Sequence, residues 1–238
     1  MKKIIKKLIR RTGFDLHRFN HASTPFGLFI AGINKFEIDL VVDVGANAGQ
    51  FSGELRDGGF TGHILSIEPL SAAHQALLKN SQGDDNWEVF PRCAVGDIDG
   101  ETIINVSKNS VSSSILPMLS IHSIVAPQSS YVTQEKTLIF KLDSILPAKI
   151  KDFNSPLLKI DTQGFEWNVL DGARNVLPRF KAIQMELSLV HLYDGQYLWL
   201  ECIERLKNLG FSLWSIQPAF TDHETGQTLQ FDGFFIRQ

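Results

Sequence analysis

A chain of 238 residues, 43% hydrophobic and 21% charged, has the length and balance of one α/β domain with some embellishment and is short for two. Its two cysteines, Cys93 and Cys202, exclude a disulfide framework and make a reducing cytoplasm the default compartment, and no apolar run approaches the ~20 residues of a membrane span. The formal charge of −3 hides an asymmetry: Lys2, Lys3, Lys6, Lys7, Arg10 and Arg11 all precede the first acid, Asp15, so the rest of the chain stands at −9, which argues against a general nucleic-acid-binding surface there.

Residues 1–36 read as a lead-in. Over residues 1–18 Ile4, Ile5, Leu8 and Ile9 share one helical face and the basic residues the other. Such a helix can rest on an anionic membrane surface or pack its apolar stripe on the domain. No continuous apolar segment follows the basic residues, which argues against a secretory signal. From residue 37 a domain begins. Leu40–Val44 is an apolar run with one acid, as in a strand buried on both faces, and it ends in a turn with Gly45, Asn47 and Gly49. Gln50–Asp57 reads as a helix stopped by Gly58 and Gly59, and His63–Ile67 as a second strand closed by Glu68 and Pro69. Ser71–Asn80 is a second helix with Ser71 as N-cap, and 87–94 a third strand leaving through Val95, Gly96 and Asp97. This β-α-β-α-β order predicts a doubly wound parallel sheet with right-handed crossovers.

The rhythm then breaks. Residues 101–106 and 136–142 look extended, and the serine-rich stretch between them, with Pro117 and Pro127, predicts a lid-like insertion over 107–135. Alternation resumes with a strand at 157–160 ending in Asp161, Thr162, Gln163 and Gly164, a helix over 166–177, and a strand at 182–187 with Glu186 near its end. A helix over 196–208, stopped by Gly210, precedes two strands at 211–216 and 229–236 without a helix between them. That hairpin places the last strand antiparallel in an otherwise parallel sheet.

A strand that ends in a glycine turn and restarts as a helix offers free backbone N–H groups and bare backbone at the crevice where nucleotide-like ligands sit. Gly45 allows the turn, and Gly49 allows close approach of helix and ligand. Glu68, about twenty residues beyond the turn, is placed to accept hydrogen bonds from a ribose diol, which leaves NAD and S-adenosylmethionine in competition. A dinucleotide site wants G-x-G-x-x-G; here Asn47 takes the middle position and Phe51 or Ser52 the third. Asp43, two residues before Gly45, can receive an ammonium group, which suits the amino-acid end of S-adenosylmethionine and suits a pyrophosphate poorly.

Val41-Val42-Asp43-Val44-Gly45-Ala46-Asn47-Ala48-Gly49-Gln50-Phe51, Ile67-Glu68-Pro69, Ser112-Ser113-Ser114, Leu158-Lys159-Ile160-Asp161-Thr162-Gln163-Gly164-Phe165-Glu166 and Val169-Leu170-Asp171-Gly172-Ala173 together resemble the FkbM family of S-adenosylmethionine-dependent methyltransferases. The resemblance runs from about residue 40 to the C-terminus. It implies a seven-stranded, mostly parallel, Rossmann-like class I sheet with an antiparallel last strand, and O-methylation of a hydroxyl on a sugar or a polyketide-type product. It further implies that Asp43, Gly45, Asn47 and Gly49 line the methionine end of the cofactor, that Glu68 holds the ribose, and that the exit 94–97, with Asp97, lies by the adenine. Many relatives carry a glutamate where this chain has Gln163.

A sugar hydroxyl is a very weak acid, so methylation calls for a base or for a divalent metal that lowers its pKa. Asp161, at a strand end facing the crevice, is the first candidate for either role; Glu186 is the next, as base or metal ligand, and His191 follows as a catalytic candidate. Glu166 lies in a first helical turn, where an acid is favoured without catalytic duty. Lys159 inside an apolar strand needs a partner, Asp161 or Glu186. Trp199, Phe211 and Trp214 read as core. The resulting expectation is a cytoplasmic enzyme methylating a sugar hydroxyl of a glycan or glycolipid precursor, with no nucleic-acid partner and with residues 1–18 at the membrane face. The alternatives are a methyltransferase for another small-molecule hydroxyl, an NAD-dependent oxidoreductase, and a non-catalytic adaptor.

Overall fold

The computed structural model describes residues 5, 6, 9–14 and 24–238. Most of the amphipathic stripe expected over residues 1–18 therefore lies outside the described residues. Helix α1 (Pro25–Lys35) starts where Thr24 Oγ1 accepts the Gly27 N–H at 3.0 Å and Pro25 fills the first helical turn.

Strand β1 (Leu40–Val44) is buried along its whole length. Its alternate residues feed two cores. Leu40, Val42 and Val44 pack with Leu158, Ile160, Ile183 and Met185, while Val41 packs with Phe29, Ile64, Leu157 and Phe234. Helix α2 (Gln50–Asp57), β2 (His63–Ile67), α3 (Ser71–Asn80) and β3 (Trp87–Val89) complete the first half, and β1, β2 and β3 pair in parallel. The third strand stops at Val89, short of the expected residue 94, because Pro91 cannot donate to a ladder. Beyond it β4 (Ala94–Val95) leaves for a separate three-stranded sheet, β4-β6-β5, built from β5 (Gly100–Ser107) and β6 (Tyr131–Phe140).

The segment between β5 and β6 contains α4 (Ser120–Val125) and a 3-10 turn at Pro127–Ser129. Its hydroxyls hold it together: Ser112 Oγ donates to Ser129 Oγ at 2.9 Å, and Ser107 Oγ donates to Asn109 Oδ1 at 2.7 Å. Two one-turn helices, α5 (Leu142–Ile145) and α6 (Pro147–Ile150), lead to β7 (Pro156–Ile160), which pairs in parallel with β1. Helix α7 (Glu166–Asp171) is shorter than the expected 166–177. It ends at Gly172, where a Cβ would stand 1.9 Å from the Gly96 carbonyl oxygen. Strand β8 (Ala182–Ser188) is followed by α8 (Trp199–Asn208), which begins three residues later than expected. Gln196 instead spends its side chain on the preceding loop, accepting from Leu192 N–H at 3.0 Å and donating to Ser188 Oγ at 2.7 Å.

Strands β9 (Phe211–Pro218) and β10 (Gln230–Arg237) form the expected hairpin, and β10 inserts antiparallel between β8 and β9. The seven-stranded order is β3-β2-β1-β7-β8-β10-β9, a mostly parallel, Rossmann-like class I arrangement. Trp214 departs from its expected core position: it is exposed on β9 with its ring edge-on to Phe36.

Candidate active site

The C-terminal ends of β1, β2 and β7 open into a cavity of about 340 Å³, within the range of small-molecule sites. Its walls come from the turn after β1, from Glu68 to Leu70, from Cys93 to Val95, from the β5–β6 insertion and from the turn after β7.

The first turn takes left-handed backbone at Gly45 (φ 81°), Asn47 (φ 47°) and Gly49 (φ 89°). Asparagine tolerates this region better than most non-glycine residues. Within the turn itself, residues 45–49, every N–H is engaged inside the protein. Gly45 and Ala46 both donate to the Ile67 carbonyl, Asn47 to Glu68 Oε2 at 2.8 Å, Ala48 to Asn47 Oδ1 and Gly49 to the Ala46 carbonyl. Gly49 also plays another part than expected: a Cβ there would meet Trp87 and Leu77 side chains at 2.8 and 2.9 Å, so it admits core packing behind the turn. Glu68 lines the cavity and accepts from Asn47 N–H with one oxygen and from Leu70 N–H with the other, both at 2.8 Å. Burial pushes its pKa up to about 7, against the lowering effect of those two N–H donors.

Asp43 lies beneath the turn and is fully buried, outside the cavity lining. The ammonium it receives is the chain's own: Lys159 Nζ stands 3.1 Å from Asp43 Oδ1, while Ser52 Oγ donates to Oδ2 at 3.2 Å. Lys159 is the neighbour of Asp43 in the β1–β7 register and also stands 3.5 Å from Asp161 Oδ2. Burial acts to lower its pKa, but the Asp43 and Asp161 carboxylates outweigh that and hold it above the ordinary lysine range. Of the two partners expected for Lys159, Asp161 is present; Asp43 takes the place foreseen for Glu186.

Asp161 reaches the cavity with its side chain 36% exposed. Gln163, itself in left-handed backbone (φ 56°), joins it to Glu186: Gln163 Nε2 donates to Asp161 Oδ1 at 2.8 Å and to Glu186 Oε2 at 2.9 Å. Gln163 Oε1 accepts from the Tyr193 hydroxyl at 2.8 Å, and its main-chain carbonyl accepts from Ser114 Oγ at 2.7 Å. Burial keeps the Tyr193 phenol far above its ordinary pKa, so it remains a donor. With that hydroxyl on its Oε1, Gln163 turns its NH2 to the two carboxylates. Glu186 lies behind Gln163, outside the cavity lining, and burial together with the Asp161 charge raises its pKa well above the ordinary carboxylate range. Glu166 accepts from Thr162 N–H and Gly164 N–H, each at 3.0 Å, which is the structural duty of an acid closing a turn.

Two expected site residues stand apart. Asp97 is exposed and outside the lining, because Ala94 and Val95 turn into the small sheet and occupy the wall themselves. His191 is exposed beyond β8, also outside the lining. Among the described residues no group of three or more His, Cys, Asp and Glu side chains is gathered to hold a metal ion. Two wall residues carried no distinct sequence signal, Glu54 on α2 and Ser110. Asn47 Nδ2 donates to Ser110 Oγ at 3.2 Å, tying the insertion to the first turn.

A family model described as Methyltransferase FkbM domain matches residues 43–213. No curated protein matches the chain. Among solved structures, a magnesium protoporphyrin IX methyltransferase from Synechocystis PCC 6803 with bound S-adenosylmethionine is 10% identical, with 100% of this chain and 97% of that chain covered, at a TM-score of 0.49. An rRNA methylase from Streptococcus thermophilus is 10% identical over 93% and 99% of the two chains, at 0.49. The Aeropyrum pernix fibrillarin in complex with S-adenosylmethionine is 9% identical over 83% and 66%, at 0.48.

Proposed function

Because the chain belongs to the FkbM family of S-adenosylmethionine-dependent methyltransferases, we propose that it methylates a hydroxyl of a sugar in a glycan or glycolipid precursor. The observation that carries this reading is the pairing of a fully engaged turn with an acidic wall. Every backbone N–H over residues 45–49 has an acceptor inside the protein, whereas Glu54, Glu68 and Asp161 face the cavity. A pyrophosphate would find no free donor among residues 45–49 and would meet three carboxylates against the single Lys159 ammonium, so a cationic ligand is favoured there. This argues against the NAD-dependent alternative.

When bound, S-adenosylmethionine supplies a methyl group on a positively charged sulfur. The chain's own residues do the rest. Glu68 offers oxygens already oriented by two N–H donors to the ribose hydroxyls. Asp161 would accept the proton of the acceptor hydroxyl as its oxygen bonds the methyl carbon and the carbon–sulfur bond breaks, leaving a neutral thioether, with Gln163 holding Oδ1 of Asp161 and Lys159 beside its Oδ2. Glu186 acts through Gln163 and positions the pair. A hydroxyl acceptor, and among hydroxyls a sugar, is supported by the polar mouth: Ser110, Ser113, Ser114, Gln50 and Gln163 offer exchangeable donors and acceptors. A divalent metal would find only Asp161 of the two expected carboxylates on the wall.

The basic residues at 1–18 support peripheral contact with an anionic membrane carrying a lipid-linked acceptor. No helix of the described residues is long and apolar enough to cross a membrane. The decisive experiment is transfer of a labelled methyl group from S-adenosylmethionine into a cell extract, followed by mass analysis of the product. A methylated sugar hydroxyl supports the reading, a labelled polyketide-type product supports the alternative acceptor, and a labelled nucleic acid or protein overturns both.

A further inference from the structure

A second cavity, of about 520 Å³, lies between α7, the 3-10 turn at Leu177–Arg179, the C-terminal half of α8 and the end of β10. It shares no lining residue with the crevice above. Trp167, Leu170, Leu177 and Leu209 give it apolar walls, and three arginines face one aspartate across it, an excess of positive charge in a chain whose formal charge is −3.

The three arginines are not alike. Arg174 donates to Asp171 Oδ1 at 2.6 Å and so neutralises the one acid. Arg237 donates only to carbonyls, of Phe180 at 3.0 Å, Leu209 at 2.9 Å and Leu177 at 2.8 Å; burial without a carboxylate partner lowers its pKa. Arg205, half-buried on α8, has its guanidinium 4.1 Å from the Tyr197 ring centroid and 4.8 Å from that of Trp167. Among the described residues it has no hydrogen-bond acceptor and no carboxylate within 4 Å, although Glu201 lies one turn earlier on the same helix. A guanidinium held between two rings inclined at 60° to each other is already restrained and pays little further entropy on meeting an oxyanion, which a guanidinium binds through two parallel hydrogen bonds.

We propose that this cavity is a second ligand site, for an organic oxyanion whose phosphate or carboxylate pairs with Arg205 and whose flat or apolar body lies against Trp167 and the leucines. The site owes nothing to the methyl acceptor and stands whether or not the sugar reading holds.

The test is isothermal titration of the full chain with phenyl phosphate, phenylacetate and inorganic phosphate, alongside fluorine resonance of 5-fluorotryptophan-labelled protein. Phenyl phosphate is expected to bind with a dissociation constant on the order of 1 mM or tighter and to shift the Trp167 resonance but not that of Trp87. Inorganic phosphate should bind about tenfold more weakly, since it gains nothing from the walls. The ranking of phenyl phosphate against phenylacetate then identifies the preferred head group. R205M should lose about tenfold in phenyl phosphate affinity, and R205K, which keeps the charge without the planar fork, should lose less. S-adenosylmethionine affinity should be unchanged in both and attests their folding. No saturable binding of either aromatic anion, equal affinity for inorganic phosphate, or undiminished binding by R205M would each overturn the proposal.

Discussion

Gly45 and Asp161 touch backbone to backbone: a Cβ at residue 45 would stand 1.9 Å from the Asp161 carbonyl oxygen. The two strand ends that carry the cofactor turn and the proposed base are thereby set at one distance. Gly45→Ala meets two penalties, since φ of 81° is unfavourable for alanine and the collision is with main chain that cannot rotate away. The expected loss is about 3 kcal/mol or more. Urea unfolding monitored by circular dichroism measures it, and a midpoint equal to that of the parent protein would refute the stated contact.

If Glu68 holds the ribose as proposed, cofactor affinity should depend on pH. Its pKa is raised from 4.5 to about 7, so its folded-state contribution to stability is fully present below 4.5 and is lost as pH rises through about 7. Binding runs the other way, because a ribose diol needs the ionised carboxylate as acceptor. Between about pH 8 and about pH 6 the ionised fraction of such a group falls roughly tenfold, and affinity for S-adenosylmethionine should fall with it. Calorimetric titration across that interval, with Glu68→Gln as a flat and weaker control, checks the slope.

Lys159 lies beside two carboxylates, one of them fully buried. Replacing it with methionine strands the Asp43 charge, at an expected cost of about 3–5 kcal/mol. The double variant Asp43→Asn, Lys159→Met should recover much of that loss. Additive losses in a thermal-unfolding cycle would show that the pair is not coupled.

Asp161→Asn can keep an acceptor toward Gln163 Nε2, turns its NH2 toward Lys159 and removes the proposed base. Turnover should drop by about 10²–10⁴-fold while S-adenosylmethionine affinity changes little. Single-turnover assay with the acceptor identified by labelling, paired with calorimetry, separates the two effects; undiminished turnover removes Asp161 from the chemistry.

Much of this was readable from residue order because it follows from period and local chemistry. Leu40–Val44 with its glycine turn, Glu68 about twenty residues on and the terminal hairpin are short-range patterns, and each stands where expected. What escaped depends on pairing between distant segments. The partner of Asp43 is set by β1–β7 register, which places Lys159 beside it. The resemblance implies Asp97 beside the adenine, but Pro91 interrupts the strand, so the chain reaches the wall at Ala94 and Val95 and has left it by residue 97. The bridge from Asp161 through Gln163 to Glu186 and Tyr193 joins two loops by side chains alone, and no periodicity announces it.

The position of β10 also orders events during synthesis. β9 is made first, yet in the sheet it hydrogen-bonds only to β10, which separates it from β8. Until residues 230–237 leave the ribosome, β8 presents an open edge and β9 has no neighbour to join. Glu186 likewise waits for Gln230, whose amide donates to its Oε2 at 2.7 Å. The β8-β10-β9 half of the sheet is thus completed only once residues 230–237 are made, whereas β1, β2 and β3 can assemble while the rest is still being made.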